Sequence, residues 1–493
     1  MSSFSKSGIY RLDSNNSNNH IIYFIDPVRI LNRSYTRFQV SPFKYYSRFL
    51  KPKHEQGQTR DSENLNKKNR KKRKFHRLNE RELVADQRHQ EARSLLLNAH
   101  EVLLRDKEIL SVLCNLRDDD DVCCLSGTKD GPCFIEHGSV WQAPMYEICL
   151  HFCTDDGGSA LVQFDQQQVV PLYNNLIIND TSEDVEAATL DNCYIIPRES
   201  CFHMSNLEQL HALVPDKPDT GFNLIVIDPP WENRSAHQKS VYPTVPNRYF
   251  LSLPISQLTH TQGSLVALWV TNREKLRRFV EKELFPTWGV SYKAVVYWLK
   301  VKVDGSLISE LDLFHHRPYE CLLLGYRHGK GMDSEPLTTK SLPENQVIIS
   351  VPGDYSRKPP IGGILNLHFS VVRELLLDYA PGPKPARCIE LFARELLAGC
   401  TSWGNEPLHF QHSRYFLSDA TVDVRAYPYN LYYLALFGII NAYGLFGGSY
   451  SDKSLPTIDL RFIPTIDLRF KNLGTPTCPL TTTDSLLDDT ATS

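Results

Sequence analysis

The chain has 493 residues, 41% hydrophobic and 23% charged, the ordinary balance of a soluble globular protein and enough length for two or three domains. A net charge of −3 and an isoelectric point near 6.6 exclude a chain that is basic overall, so any nucleic-acid surface must be local. Twelve cysteines without a paired framework fit reduced thiols of the cytosol or nucleus, and the N-terminus lacks the apolar core of a signal peptide.

Residues 1–78 are polar, rich in Asn and Ser and dotted with cations, which predicts a disordered arm with little core of its own. Seven of the eight residues from Lys67 to Lys74 are cationic, the pattern of a nuclear-import signal or an RNA-backbone patch, with import favoured. An accessory region, mostly helical or irregular, is expected over 79–189. From Asn79 to Leu113 apolar residues recur at three- and four-residue spacing, including Leu95, Leu96, Ala99 and Leu103, and predict helix. Asp118 to Asp121 reads as a solvated loop. Cys149, His151 and Cys153 supply only half of a zinc spacing and no second half follows, so no metal site is predicted.

From residue 222 the pattern alternates. Buried-strand runs fall at 222–227, 264–270, 293–300, 319–326, 345–351 and 387–394, with helices expected at 273–285 and 369–379. This predicts an α/β domain over 190–418: an open, mostly parallel sheet whose ligands sit beyond the carboxyl ends of the strands. Beyond it, 419–493 is an atypical extension. Ala426 to Gly448 is uncharged and long enough to cross a bilayer, but Pro, Asn, Tyr and Gly interrupt it; a flexible extension is favoured over a span. A seven-residue unit, P-T-I-D-L-R-F, then repeats from Pro456 and Pro464.

The stretch carrying the most chemistry is L-I-V-I-D-P-P-W, Leu224 to Trp231. Asp228 stands at the end of a buried strand. Pro229 and Pro230 are rigid and lack N–H donors, while their carbonyls still accept. A carboxylate beside a rigid carbonyl suits an exocyclic amine with two hydrogens to donate, and Trp231 offers a flat face for a base. Adenine N6 is conjugated to its ring; holding both hydrogens would favour a pyramidal nitrogen able to attack a methyl sulfonium in line. An isolated Asp-Pro is a common turn starter, but this tetrapeptide after a buried strand is far less common.

I-D-P-P-W, L-W-V-T-N-R, Y-W-L-K, S-R-K-P-P, I-E-L-F-A-R and T-S-W-G-N-E follow one another in that order. Together they resemble the adenine-N6 methyltransferase family with the Asp-Pro-Pro-Trp motif, the MT-A seventy-like family, most strongly over 190–418. The resemblance implies a Rossmann-like fold with permuted motif order that binds S-adenosylmethionine. It implies that Asp228, Pro229, Pro230 and Trp231 form the catalytic motif. It gives Lys358 the cofactor carboxylate, Glu390 and Arg394 the ribose side, and Asn405, with Glu406 beside it, the cofactor's adenosine. Asp228 also falls on the cofactor side of the motif. Where the family often has a His and an Asn after E-L-F-x-R, this chain has Glu395, Leu396 and Leu397. With no Gly-rich loop, 202–206 is the candidate for the cofactor's adenine.

Between Trp231 and Phe250, Asn233, Arg234, Lys239, Tyr242 and Arg248 interleave cations, amides and aromatics as a single-stranded nucleotide would require. Lys300 and Glu320 are expected to shape the opposite wall. Two functions are carried forward. The first is a nuclear adenine-N6 methyltransferase acting on RNA, with 2′-O-methyladenosine in small nuclear RNA as the implied target, or on DNA adenine. The second is a non-catalytic nucleic-acid-binding scaffold of a methyltransferase complex. No protein partner is identifiable from the sequence, and a monomer is compatible with either.

Overall fold

The computed structural model describes residues 8–12, 21–47, 80–116, 133–153, 164–232, 244–313, 316–329, 342, 346–354, 357–361 and 376–417. The Lys67–Lys74 run, the Asp118–Asp121 run, most of the helix expected at 369–379 and everything from 418 onward lie outside these residues. Among the described residues, fifteen strands and the helices that accompany them form a Rossmann-like α/β fold. They are β1 (Ile9–Leu12), β2 (Ile22–Ile25), β3 (Glu147–Cys153), β4 (Phe164–Pro171), β5 (Leu176–Asn179), β6 (Val185–Thr189), β7 (Asn192–Ile196), β8 (Ser200–Met204), β9 (Leu224–Ile227), β10 (Ser264–Val270), β11 (Val290–Lys300), β12 (Tyr319–Arg327), β13 (Gln346–Ser350), β14 (Cys388–Leu391) and β15 (Cys400–Gly404).

Eleven strands form one sheet in the order β1-β2-β13-β11-β12-β10-β9-β14-β15-β8-β5. Only β12 in the interior and β1 and β5 at the edges run against the rest. Every residue of β9, β10 and β13 is buried, because helices and loops cover both faces. The strand ends therefore gather at one rim: Asp228 after β9, Thr271 after β10, Lys300 closing β11, Asn405 after β15 and Ser205 after β8. Glu320 joins them from the start of the antiparallel β12.

Two expectations are corrected. The N-terminal arm is not all disordered. Residues 21–47 are packed into the domain: β2 pairs in parallel with β13, and Tyr35, Phe38, Tyr45 and Tyr46 are buried. Asp184 fastens this stretch, accepting from the Thr36 amide at 2.9 Å and from Arg37 Nε at 3.0 Å. The accessory region, expected to be mostly helical or irregular, also carries strands: β3, β4 and β6 join β7, beyond residue 189, in a four-stranded antiparallel sheet, and β5 belongs to the main sheet, so no boundary falls at 189.

The helical pattern from Asn79 resolves into two helices, Glu80–Arg105 and Lys107–Asn115. Asp106 divides them: its carboxylate accepts from the Ile109 amide at 3.0 Å, a cap for the second helix. Leu96, Ala99 and Leu103 of the first helix are fully buried in the main core. Its polar side reaches the main sheet through His89, 3.1 Å from the Tyr319 hydroxyl, and Arg88, 2.7 Å from Glu281.

Candidate active site

The rim of the sheet opens into a cleft of about 1650 Å³. Its floor is aromatic. Trp269, Phe392 and Trp403 line it, with Phe250 behind them, and ring centroids lie 5.1 Å apart for Phe392–Trp403 and 5.5 Å for Phe250–Phe392. Phe392 has φ of +64°, a left-handed turn that ends β14 and brings Arg394 round to the cleft.

Asp228 leaves β9 at the centre of this floor. Its amide donates to the Leu391 carbonyl at 3.3 Å, which pins the carboxylate between β9 and β14. Lys358 Nζ lies 3.2 Å from Asp228 Oδ1 and 3.3 Å from Glu320 Oε2. The other oxygen of Glu320 meets Lys300 Nζ, which also stacks 4.3 Å from the Trp298 ring. Asp228, Lys358, Glu320 and Lys300 thus form a chain of alternating charge, each member less than a fifth exposed. Burial alone would raise the Glu320 carboxyl, yet Lys300 and Lys358 outweigh it and hold it down to about 2. Burial lowers Lys300, with Glu320 opposing. Lys358 shifts upward despite its burial, because Asp228 and Glu320 favour its charge.

Glu390 lines a smaller pocket behind Asp228, with Arg357, Lys358 and Arg394. Burial first, and the Asp228 charge second, push its carboxyl up to about 8, against the pull of Arg394. An unfolded carboxyl releases its proton near 4.5. Between those two values the folded chain keeps a proton that the unfolded chain has lost, so stability falls as pH rises through the window. Glu390→Gln should flatten that fall, read as melting temperature against pH from 5 to about 9; an unchanged slope would contradict the assignment.

The sequence-predicted residues fall into four groups. Asp228, Lys358, Arg394, Asn405 and Glu406 line one cleft. Glu390 does not line that cleft and sits in the pocket behind it. Of 202–206, Met204, Ser205 and Asn206 line the cleft, whereas Phe202 and His203 are buried. Asn233, Arg234, Lys239 and Tyr242 lie outside the described residues; Arg248 is exposed on the cleft wall.

Three roles are corrected. Trp231 borders the cleft but is only 6% exposed, its Nε1 donating to the Trp269 carbonyl at 2.8 Å and its ring edge-on to Phe250. It braces the motif, and little of its face is open to a base. The proline carbonyls are already engaged, Pro229 by the Trp231 amide at 2.8 Å and Pro230 by the Val245 amide at 3.1 Å, leaving each one further lone pair. Glu320 lines the cleft as expected, but it is paired with Lys300 and Lys358, and Lys300 is not among the cleft-lining residues, so it acts on the charge around Asp228 through Glu320.

Arg357 was not foreseen. It is 4% exposed, pairs with Glu395, and lies between the rings of Tyr45 at 4.3 Å and Phe410 at 4.2 Å. Glu395 is the residue that departs from the family's histidine, and the adjoining cation in S-R-K-P was the available signal. Leu396 and Leu397 are buried, so that loop supplies no polar side chain in their place.

Residues 222–406 match the family model described as MT-A70. This stretch is similar to MT-A70 domains. The N(6)-adenine-specific methyltransferase METTL4 of Mus musculus is 35% identical over 256 residues, covering 50% of each chain. The N6-methyladenosine RNA methyltransferase MTA1 of Pyricularia oryzae is 31% identical over 265 residues, 52% of this chain and 63% of that one. The DNA N6-methyl methyltransferase of Caenorhabditis elegans is 32% identical over 226 residues, 45% and 55%. The chain spans about half the length of the first of these relatives. The matched stretch holds β9 through β15 and the whole Asp228–Lys358–Glu320–Lys300 chain; β1, β2, β5 and β8 extend its sheet on either side. Among the described residues no cluster of His, Cys, Asp or Glu could hold a metal ion, and no helix is long and apolar enough to cross a membrane.

Proposed function

We propose that the chain transfers a methyl group from S-adenosylmethionine to the N6 amine of adenine in nucleic acid. The observation that carries this reading is Asp228, held by Lys358 at the centre of an aromatic cleft, at the carboxyl end of the central strand of the stretch similar to MT-A70 domains. The donor set suits the cofactor: a buried point cation in Lys358 for its carboxylate, Arg394 for its ribose side, and Asn405 with Glu406 for its adenosine. When bound, S-adenosylmethionine supplies a methyl group activated by its sulfonium.

The chain's own groups do the rest. Asp228 accepts from the amine and fixes its direction; the remaining lone pairs of the proline carbonyls are close at hand for the second hydrogen. As nitrogen acquires the methyl group it becomes cationic, and the Asp228 carboxylate stabilises that charge. Lys358, itself held by Glu320, keeps the carboxylate in place. Trp269, Phe392 and Trp403 exclude water, which strengthens each of these interactions.

Within this reading, RNA carrying 2′-O-methyladenosine, as in small nuclear RNA, is the proposed substrate and DNA adenine the second. The Lys67–Lys74 run supports a nuclear location. A non-catalytic strand-binding subunit is the competing reading, favoured by the loop at 395–397, where Glu395 is spent on Arg357 and two leucines are buried. The test is transfer of labelled methyl to RNA with 2′-O-methyladenosine, RNA with plain adenosine, and single- and double-stranded DNA. Label in the first class alone is expected. Label in DNA alone would move the substrate to DNA. No label anywhere, with no cofactor binding by calorimetry, would favour the subunit.

A further inference from the structure

The side of the cleft facing away from the cofactor residues has a composition that the methyl-transfer reading leaves unused. The helix Glu274–Phe279 and its flanks put Arg273, Lys275 and Arg278 on one wall, with Arg248 alongside, and all four are exposed. Two acids stand among these four cations: Glu274, 3.5 Å from Arg88, and Glu283, 3.5 Å from Arg248. The wall is therefore net positive. Another part of the cleft is lined by the short helix Phe134–Ser139, through Phe134, Ile135, Gly138 and Ser139.

That helix is firmly seated. The Tyr173 hydroxyl donates to the Phe134 carbonyl at 2.9 Å, and Gly138 lies so close on the Tyr173 ring that a Cβ there would stand 2.8 Å from it. Two residues beyond Ser139, Trp141 is 79% exposed. A folded chain rarely leaves so much indole in water. Here the ring is carried on an anchored turn, next to residues that line the same cleft as Asp228.

We propose that a single nucleic-acid strand crosses this cleft, with a base beside the target adenine stacked on Trp141 and its phosphates on Arg248, Arg273, Lys275 and Arg278. This inference rests on the methyl-transfer reading for the position of the target and assigns the accessory lobe a part in holding the strand. Stacking on an aromatic needs an unstacked base, so single strands are preferred over duplex. The cations contact backbone, so they add affinity without sequence preference.

The test uses the full chain and short fluorescent single-stranded RNA and DNA, with affinity read by anisotropy across a salt series. Trp141→Ala should weaken binding about tenfold, and Trp141→Phe should recover most of the loss. Melting temperatures matching the wild type control for folding. The double variant Lys275→Gln/Arg278→Gln should lower the slope of log affinity against log salt by about 1.4, as expected for two lost phosphate contacts on a single strand. Unchanged affinity in Trp141→Ala together with an unchanged salt slope in the double variant would overturn the proposal, as would tighter binding of duplex than of single strand. Binding is read without catalysis, so the two readings fail separately. Trp141-dependent binding without methyl transfer would sink only the enzyme. Methyl transfer with binding indifferent to Trp141 and both cations would sink only the strand path.

Discussion

Asp228→Asn is expected to lower methyl transfer about a thousandfold, roughly 4 kcal/mol of transition-state stabilisation. The substitution keeps the size of the side chain and removes its charge. The amide can still accept one hydrogen bond, but it no longer stabilises the cation forming on nitrogen. Lys358 loses one of its two acidic neighbours and keeps Glu320 at 3.3 Å, so the fold should survive. The informative pair of measurements is single-turnover rate and cofactor affinity. A rate within about tenfold of wild type, with cofactor binding intact, would remove Asp228 from the chemistry.

Glu320→Ala should be the most destabilising single change in the site, by about 3–5 kcal/mol, because it leaves Lys300 and Lys358 facing each other without the acid between them. Replacing both members of the terminal pair, Lys300→Met with Glu320→Leu, should cost much less, since an apolar pair of similar volume needs no compensation. Denaturant unfolding of the two singles and the double would show it, and additive losses would contradict it. The acid side follows from the same pair. The Glu320 carboxyl is held down to about 2 when folded and titrates near 4.5 when unfolded. Its stabilisation is therefore complete above 4.5 and is lost as pH falls toward 2. Glu320→Gln should remove that acid limb. The sign is opposite to that of Glu390, whose contribution is lost as pH rises, so the pair together favour mildly acidic conditions for stability.

The buried strands were legible because a strand covered on both faces reads as an unbroken apolar run. L-V-A-L-W-V and Y-E-C-L-L-L-G-Y could be little else. The four-residue β1 and β2 were not legible: they sit among asparagines and serines, and only the pairing of β2 with β13 and of β1 with β2 makes them strands. F-D-Q-Q-Q-V-V-P, which forms β4, was hidden for a similar reason, its polar glutamines giving no buried run. Asp228 and Lys358 were visible as motif residues. Their ion pair was not, because it depends on the chain beyond β13 returning to the rim where β9 ends, which only the sheet order reveals. Trp298 pairs with Glu320, so Lys300, two residues on and on the same face of the strand, closes on that acid. Trp231 shows the opposite failure. Its type suggested a stacking platform, but its amide turns back to Pro229 and its indole inward to Trp269. The most exposed aromatic among the described residues is Trp141, far away in sequence and outside every motif.

The central claim is that this cleft methylates adenine at N6, and the position of the transferred methyl tests it most directly. Wild-type chain would be incubated with methyl-labelled S-adenosylmethionine and single-stranded nucleic acid, and the product digested to nucleosides and separated. All label is predicted in N6-methylated adenine nucleosides, with or without a 2′-O-methyl group. Label on a different atom, on a different base or on the sugar would contradict the reading of Asp228 as the group that receives an exocyclic amine.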